Sequence, residues 1–505
     1  MNSLPSLPDK GPLNAAAFGI VPYTPAVPRT RLLVLACGVK IHFPWVLACE
    51  RNAAAIATVR KAVAGLPIDI VPFPEPFEDP TALLAALDTE LPKGIAGIVF
   101  FHAAYTAGEI GSHFGRWLID HPVPVLSWSH PDPASERNTA NSFCCQNFIL
   151  GMWSRLGVRY AWMHAPIDES AVPELETFAR TSRTRDRLRH ARILHVGGSR
   201  VSAFYDGEAD ELALMRRFGV RFDRIDIETA FQFSQRRFSE SQVTRLREAL
   251  KALPQCSLVD LPDSQIDQTY RFGLAMLEMA REGGYAGATF KSWPDLFDCY
   301  GCAIDGAVSL CNDMGFTVAE EGEMPGALTS LILNLISEGA AVANLQDMSS
   351  VSTSRNTIGT WHCGAAPLRW LRAGTRFAAR RHSILENGDP TTAVGLMVEF
   401  LLSTGPVTVA RYQSPDAARC IAFEGEIIDS PMPFRGTWGE MRANRGPDAA
   451  AIAGAILAGG LDHHWSLGFG HWGAALRQLN HWLGVHDIPI PAVGAALHGV
   501  GPVSQ

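Results

Sequence analysis

Arg31-Leu-Leu-Val-Leu-Ala-Cys37 is an unbroken apolar run behind one arginine, the texture of a strand buried on both faces. A helical stretch follows with Ile56, Val59 and Val63 on one stripe. Working outward, further short apolar runs at 68–71, 97–101 and 123–127 alternate with amphipathic stretches at 81–87 and 110–118. The segment 141–156 reads as a closing helix. Buried strands alternating with helices predict a parallel, doubly wound sheet.

Residues 1–29 form a Pro-rich arm, either disordered or wrapped over a neighbour, with the first reading favoured. The first α/β domain spans 30–189, where substrate and oligomer contacts are expected. Its end, around 170–192, is Arg-rich; a nucleic-acid patch is possible there, but a solvated inter-domain helix suits the acidic total better. Strand–helix alternation restarts at Arg192 and defines a second Rossmann-like α/β domain over 190–348. Beyond it, alternation of Val394, Leu396, Val398 and Phe400 and the turn at Ser414-Pro-Asp416 indicate antiparallel β structure over 349–505. The expected fold class is α/β, with two doubly wound domains followed by a C-terminal antiparallel β-barrel-like domain.

The 505 residues exceed one ordinary core. Lys+Arg 43 against Asp+Glu 51 gives a net charge of −8, which argues against nucleic acid or an anionic membrane as dominant partner. No run approaches the roughly 20 apolar residues of a spanning helix. Ten cysteines, with no framework spacing, suit a reduced compartment. The Pro-rich start lacks the pattern of an export signal, so a cytoplasmic enzyme is expected. There is no HExxH, GxSxG, Walker loop or GxGxxG after a strand, which removes common hydrolase and nucleotide readings. Cys299-Tyr-Gly-Cys302 has CxxC spacing but no second pair, and buried thiols are expected rather than zinc.

The segment from Gly315 to Asp347 carries the most chemistry. A strand at 316–319 leads into Glu320, Glu321 and Glu323, and Pro325-Gly326 opens a helix with Leu328, Leu331, Ile332 and Leu335 on its stripe. A second strand over 340–345 ends near Asp347, so a parallel crossover is expected with both acidic groups past its strand ends. No Lys or Arg lies between them in sequence. Such a rim suits a cation, though capping and turn chemistry also account for these residues. A second cluster, Asp462-His463-His464-Trp465, places His464 with Ser466 and Gly468 on the open face of a strand. His42, His102, Trp128 and His130 follow successive strands of the first domain and suit sugar stacking and hydrogen bonding, or plain packing. His362, within Trp361-His362-Cys363-Gly364, either lines a site or sits in the core.

At these motifs the chain resembles the L-fucose isomerase/L-arabinose isomerase superfamily. Ser309-Leu-Cys-Asn-Asp-Met-Gly315 and Ala319-Glu-Glu-Gly-Glu-Met-Pro-Gly-Ala-Leu-Thr329 are similar to its acidic signature. Gly405-Pro-Val-Thr-Val-Ala-Arg411 and Glu424-Gly-Glu-Ile427 are similar to its C-terminal barrel. The resemblance implies metal ligands at Glu321, Asp347 and His464, the last placed by the Gly470-His471 pair, with Glu321 and Asp347 also moving protons. Glu320 stands where relatives carry Cys, which leaves two adjacent glutamates as candidate ligands, and Glu323 replaces an Asp. The candidate substrate contacts are His42, His102, Trp128, His130, His362 and His471. The family's cofactor is Mn2+, with Mg2+ or Co2+ as alternatives, and its members are homo-oligomers, commonly trimers or hexamers.

The implied activity is aldose–ketose isomerisation of a pentose, hexose or modified sugar through a cis-enediol. Two alternatives stay open: a metal-dependent epimerase or other enediolate-forming enzyme, and a non-catalytic sugar binder.

Overall fold

A computed structural model describes Leu13, residues 15–24, 29–135 and 137–493. The first strands are β1 (Thr30–Cys37), β2 (Ile68–Pro72), β3 (Gly97–His102), β4 (Val125–Ser129) and β5 (Ala161–His164). They form a parallel sheet in the order β2-β1-β3-β4-β5. Alternate residues explain its two covers. Leu32, Val34, Ala36, Val99 and Phe101 face one apolar cluster with Ala55, Ile56 and Val59 of the helix Trp45–Ala62. Leu33, Leu35, Cys37, Ile98 and Phe100 face a second cluster with Leu83, Phe114 and Trp153 from three other helices. A strand whose successive side chains are all apolar needs this double burial.

The helix Val172–Leu188 corrects the solvated reading of the Arg-rich stretch. Thr181, Arg183 and Thr184 are buried, and Arg183 Nη1 donates to Thr30 Oγ1 at 2.8 Å. Charge counting misses this because an arginine can bury its stem and bond from within.

By internal packing the chain forms two compact units. One comprises Val27–Arg187 with Ala474–Gly484; the other comprises Leu188–Gly473 with Met1–Ala26 and Val485–Gln505. Ala474–Gly484 joins the five-stranded unit through Trp482, which packs on Phe178, and Gln478, which donates to Glu174. The described part of the N-terminal arm also corrects its expectation. Leu13, Phe18, Ile20 and Tyr23 are buried in the core of the larger unit, and Tyr23 N donates to Met314 O at 2.7 Å.

The larger unit begins with β6 (Arg192–Val196), β7 (Arg221–Ile225), β8 (Cys256–Leu258), β9 (Gly287–Phe290) and β10 (Thr317–Ala319). Four of them make a parallel sheet ordered β10-β9-β6-β7. Then come β11 (Asn344–Ser352), β12 (Thr357–His362), β13 (Phe377–Arg380), β14 (Met397–Leu401), β15 (Gly405–Tyr412), β16 (Arg419–Ile428), β17 (Thr437–Arg442), β18 (His464–Phe469) and β19 (His486–Asp487). These join β8 in a mixed sheet ordered β19-β16-β15-β18-β11-β12-β17-β14-β13-β8. An additional antiparallel pairing of β16 with β17 closes β16-β15-β18-β11-β12-β17 into a ring. The molecule is thus mixed α/β, with two parallel sheets and one larger mixed sheet.

The expected parallel crossover is not formed. β10 stays in the four-stranded sheet, while β11 lies antiparallel between β12 and β18. Left-handed backbone at Glu338 (φ 51°), Gly339 (φ 85°) and Val342 (φ 45°) turns the chain out of the first sheet after the helix Met324–Ile336. Asp347 therefore sits within a strand, directly opposite His464.

Candidate active site

The site is built on two adjoining pieces of backbone in the larger unit. The loop after β10 carries Glu320, Glu321 and Glu323, all buried. Glu321 (φ 67°) and Gly322 (φ 68°) are both left-handed. For a glutamate this is strained, and surrounding contacts must hold it. Val201 N donates to Glu321 O at 3.2 Å, and Gly322 N donates to Phe290 O at 2.7 Å. A Cβ on Gly322 would stand 2.5 Å from Ser199 O, so this position admits only glycine without displacement. The second piece is the β11–β18 pair, whose register sets Asp347 beside His464.

His464 is the centre of the arrangement. Its Nδ1 donates to Glu323 Oε2 at 3.1 Å, since a carboxylate can only accept. Nε2 lies 3.0 Å from Glu321 Oε2 and 3.5 Å from Asp347 Oδ1. Burial disfavours charge on this imidazole, yet Glu321 and Glu323 raise its pKa well above the ordinary value. The same proximity holds Glu321 below the usual carboxylate range despite its burial. Trp293 Nε1 donates to Glu321 Oε1 at 3.1 Å and fixes that carboxylate. Glu323 in turn accepts from Arg411 Nη2, and Arg411 also donates to Asp462 Oδ2 through Nε at 2.8 Å. Arg411 is fully buried, so two carboxylates neutralise it.

Two carboxylate oxygens beside His464 offer themselves to a cation, although Glu321 and Asp347 fall in separate donor sets that share His464. Glu321 Oε2 and Asp347 Oδ1 are buried oxygens without an aligned hydrogen-bond donor, and both face His464 Nε2. Two carboxylates with one imidazole suit a cation of intermediate hardness. Glu323 stands behind His464 as a carboxylate that orients the imidazole through Nδ1, the arrangement common behind ligating histidines. His464 is common to two sets of donors lying within 4.8 Å of one another: Glu321, His362 and His464, and Asp347, His463 and His464. The Asp347 and His463 side chains are 33% and 37% exposed, while Glu321, His362 and His464 are nearly sealed, so the arrangement opens on the side of Asp347 and His463.

The remaining candidates divide. His362 lies in the same unit; its Nδ1 is 3.1 Å from Glu320 Oε2, and this partner raises its pKa to about 9 against the effect of burial. His471 is 3.8 Å from Glu424 and belongs to neither donor set. His42, His102, Trp128 and His130 belong to the five-stranded unit. His42 is exposed. His102 is fully buried, with Nδ1 at 3.0 Å from Thr106 Oγ1 and Nε2 at 3.0 Å from Ser127 Oγ. Trp128 is fully buried, its indole N–H donating to Ala165 O. His130 is buried against Pro131 O and Ser142.

Several neighbours carried no signal in the sequence. Asp206 accepts from His463 at both the backbone N (3.0 Å) and Nδ1 (2.6 Å). The hydrogen bond from His463 draws its pKa far down. Phe204 packs edge-on to His464, and Trp293 reaches Glu321 across 28 residues.

The chain is similar to sulfoquinovose isomerases. The sulfoquinovose isomerase of Alkalicoccus urumqiensis is 26% identical over 400 residues, covering 78% of this chain and 86% of the relative. That of Priestia aryabhattai is 23% identical over 364 residues, covering 71% and 78%. No protein-family model matches the chain. Among solved structures, a glucose-galactose binding protein from Geobacillus stearothermophilus matches 62% of this chain and 90% of its own at 10% identity. Its TM-score of 0.16 carries no structural argument. Among the described residues, no helix is long and apolar enough to cross a membrane.

Proposed function

We propose that this chain is a divalent-metal-dependent aldose–ketose isomerase acting on a modified sugar, related to the L-fucose/L-arabinose isomerase superfamily. The observation that carries the reading is His464, flanked at Nε2 by Glu321 and Asp347 and backed at Nδ1 by Glu323. The similarity to sulfoquinovose isomerases supports the isomerase class and suggests the substrate, an aldose bearing a sulfonate.

Glu321, Asp347 and His464 would hold the ion, with Mn2+ favoured by the oxygen-rich donor set. When bound, the ion supplies Lewis-acid polarisation of the sugar carbonyl, which acidifies the C2 proton. The chain does the rest. Glu323 keeps a His464 proton on Nδ1, so that Nε2 is the nitrogen that would give up its proton and offer a lone pair to an ion. Trp293 occupies Glu321 Oε1 and leaves Oε2 turned toward His464 Nε2. One carboxylate takes the C2 proton, and the same or the opposite one returns a proton to C1 through a cis-enediol. Such proton transfer contributes roughly 10²–10⁴-fold. Glu320 faces His362 rather than His464, which favours Glu321 of the two adjacent glutamates as ligand.

The experiment is a Mn2+-supplemented screen for ketose formation from sulfoquinovose, neutral pentoses and hexoses, and acidic sugars. Turnover of a modified aldose, lost on chelation and in a folded Glu321→Gln variant, is expected. Near-normal turnover in that variant would refute the assignment.

A further inference from the structure

The five-stranded unit carries a buried cation that the proposed reaction does not use. Arg51 lies in the helix Trp45–Ala62, which follows β1, and is 8% exposed. Among the described residues its guanidinium meets only neutral oxygens: Nη2 donates to Thr139 Oγ1 at 2.8 Å and Nη1 to Ala103 O at 3.5 Å. No carboxylate among them stands within ion-pair distance of it. We infer that Arg51 anchors an anion site in the crevice between the loops after β1 and β3, one that takes the sulfonate or phosphate group of a small organic molecule.

Three observations carry this. The first is charge. A buried cation needs a counter-charge and partners for its donors. A guanidinium has five N–H donors, and Arg51 uses two of them. Burial pulls its pKa down, opposed by Asp132, which stands too far away for an ion pair and accepts instead from Ser142 N at 2.8 Å. The second is place. The sheet order β2-β1-β3-β4-β5 reverses at β1. The helix after β1 covers one face and the helix after β3 the other, so their loops part at the carboxyl edge, where open α/β sheets take ligands. Arg51 reaches that edge, since Ala103 directly follows β3. The third is the rim. Phe43 from the first loop stacks on Tyr105 from the second, with ring centroids 5.4 Å apart, and exposed Lys40 sets its Nζ 5.6 Å from the Trp45 ring.

These features select the ligand. The planar fork of a guanidinium grips an oxyanion through two parallel hydrogen bonds. A tetrahedral sulfonate or phosphate has a third oxygen left for Lys40, which a carboxylate lacks. The aromatic rings at the rim suit the organic body that carries the anion. Every residue of this site belongs to the five-stranded unit, whereas Glu321, Asp347 and His464 belong to the larger one. The inference therefore does not rest on the isomerase reading.

The test titrates the full-length protein calorimetrically with inorganic phosphate and with methanesulfonate, against chloride at matched ionic strength. Wild type is expected to bind one oxyanion per chain, and the probe that binds more tightly identifies which group the site prefers. Arg51→Met, which keeps the apolar stem and drops the charge, should weaken binding about 10–100-fold through loss of a charge-assisted pair. Arg51→Lys keeps the charge without the fork and should fall between the two. Urea unfolding separates a ligand site from a structural tie. In chloride, Arg51→Met should match or exceed wild-type stability, and saturating oxyanion should stabilise wild type alone. Wild type without saturable binding of either probe overturns the inference, as does either variant binding as tightly as wild type. So does a methionine variant destabilised equally in chloride and in oxyanion. None of these readouts involves turnover, so failure here leaves the isomerase reading standing, and failure of the ketose screen leaves this site standing.

Discussion

Replacing Glu323 by Gln isolates the carboxylate that supports His464 without altering any proposed ligand. Glu323 meets two donors with two acceptors: Oε1 takes Arg411 Nη2 and Oε2 takes His464 Nδ1. A glutamine has one acceptor and one N–H2, so it can satisfy only one of them. If its oxygen turns to Arg411, the amide presents hydrogens to His464 Nδ1 and reverses the tautomer, which protonates Nε2. If it turns to His464, Arg411 keeps Asp462 as its one carboxylate partner among the described residues. Leaving a buried donor unpaired costs about 1–3 kcal/mol. Loss of an orienting partner behind a ligating histidine lowers metal affinity about 10–100-fold, or about 1.4–2.7 kcal/mol. Urea unfolding measures the first effect and calorimetric titration of the stripped protein with Mn2+ the second. A Mn2+ affinity within twofold of wild type, in a folded Glu323→Gln protein, would refute the role given to this carboxylate.

Two further outcomes follow from backbone and burial. Because Glu321 is held at φ 67°, Glu321→Gly should be about 1 kcal/mol more stable than Glu321→Ala in metal-free urea unfolding, and equal stabilities would deny the strain. Burial, with a smaller contribution from His130, lowers the His102 pKa to about 3, so the unfolded chain takes up a proton near pH 6.5 that the folded one refuses. Stability should be full above that pH and fall as pH drops toward 3, by about 1.4 kcal/mol per unit. His102→Gln should flatten this acid limb, and an unchanged pH profile would show that His102 is not its source.

The parts of the fold that depend on local pattern were legible. The apolar run at 31–37 became β1, and its alternate residues feed two separate clusters as a doubly covered strand must. The motif around Glu321 and the Gly470-His471 register pointed to residues that the structure places around His464 Nε2. What stayed hidden depends on long-range placement. The turn that takes β11 out of the parallel sheet uses left-handed Glu338 and Val342, residues whose types give no hint of that conformation. Closure of the ring rests on three aligned pairs between β16 and β17, which no periodicity encodes. Asp305 and Cys363 lie 58 residues apart, and no local pattern brings the thiol to that carboxylate.

The return of Ala474–Gly484 to the five-stranded unit has a consequence for synthesis. The ribosome emits Val27–Arg187 early, but the helix carrying Trp482 emerges only after the whole of 188–473. At about 5–20 residues per second that interval is about 15–60 s. Throughout it, the face formed by Leu175, Phe178 and Ala179 lacks its Trp482 cover and offers nascent chains a sticky surface. A truncated fragment ending at Arg187 would keep that surface permanently, so a soluble version of this unit needs the late helix grafted back on.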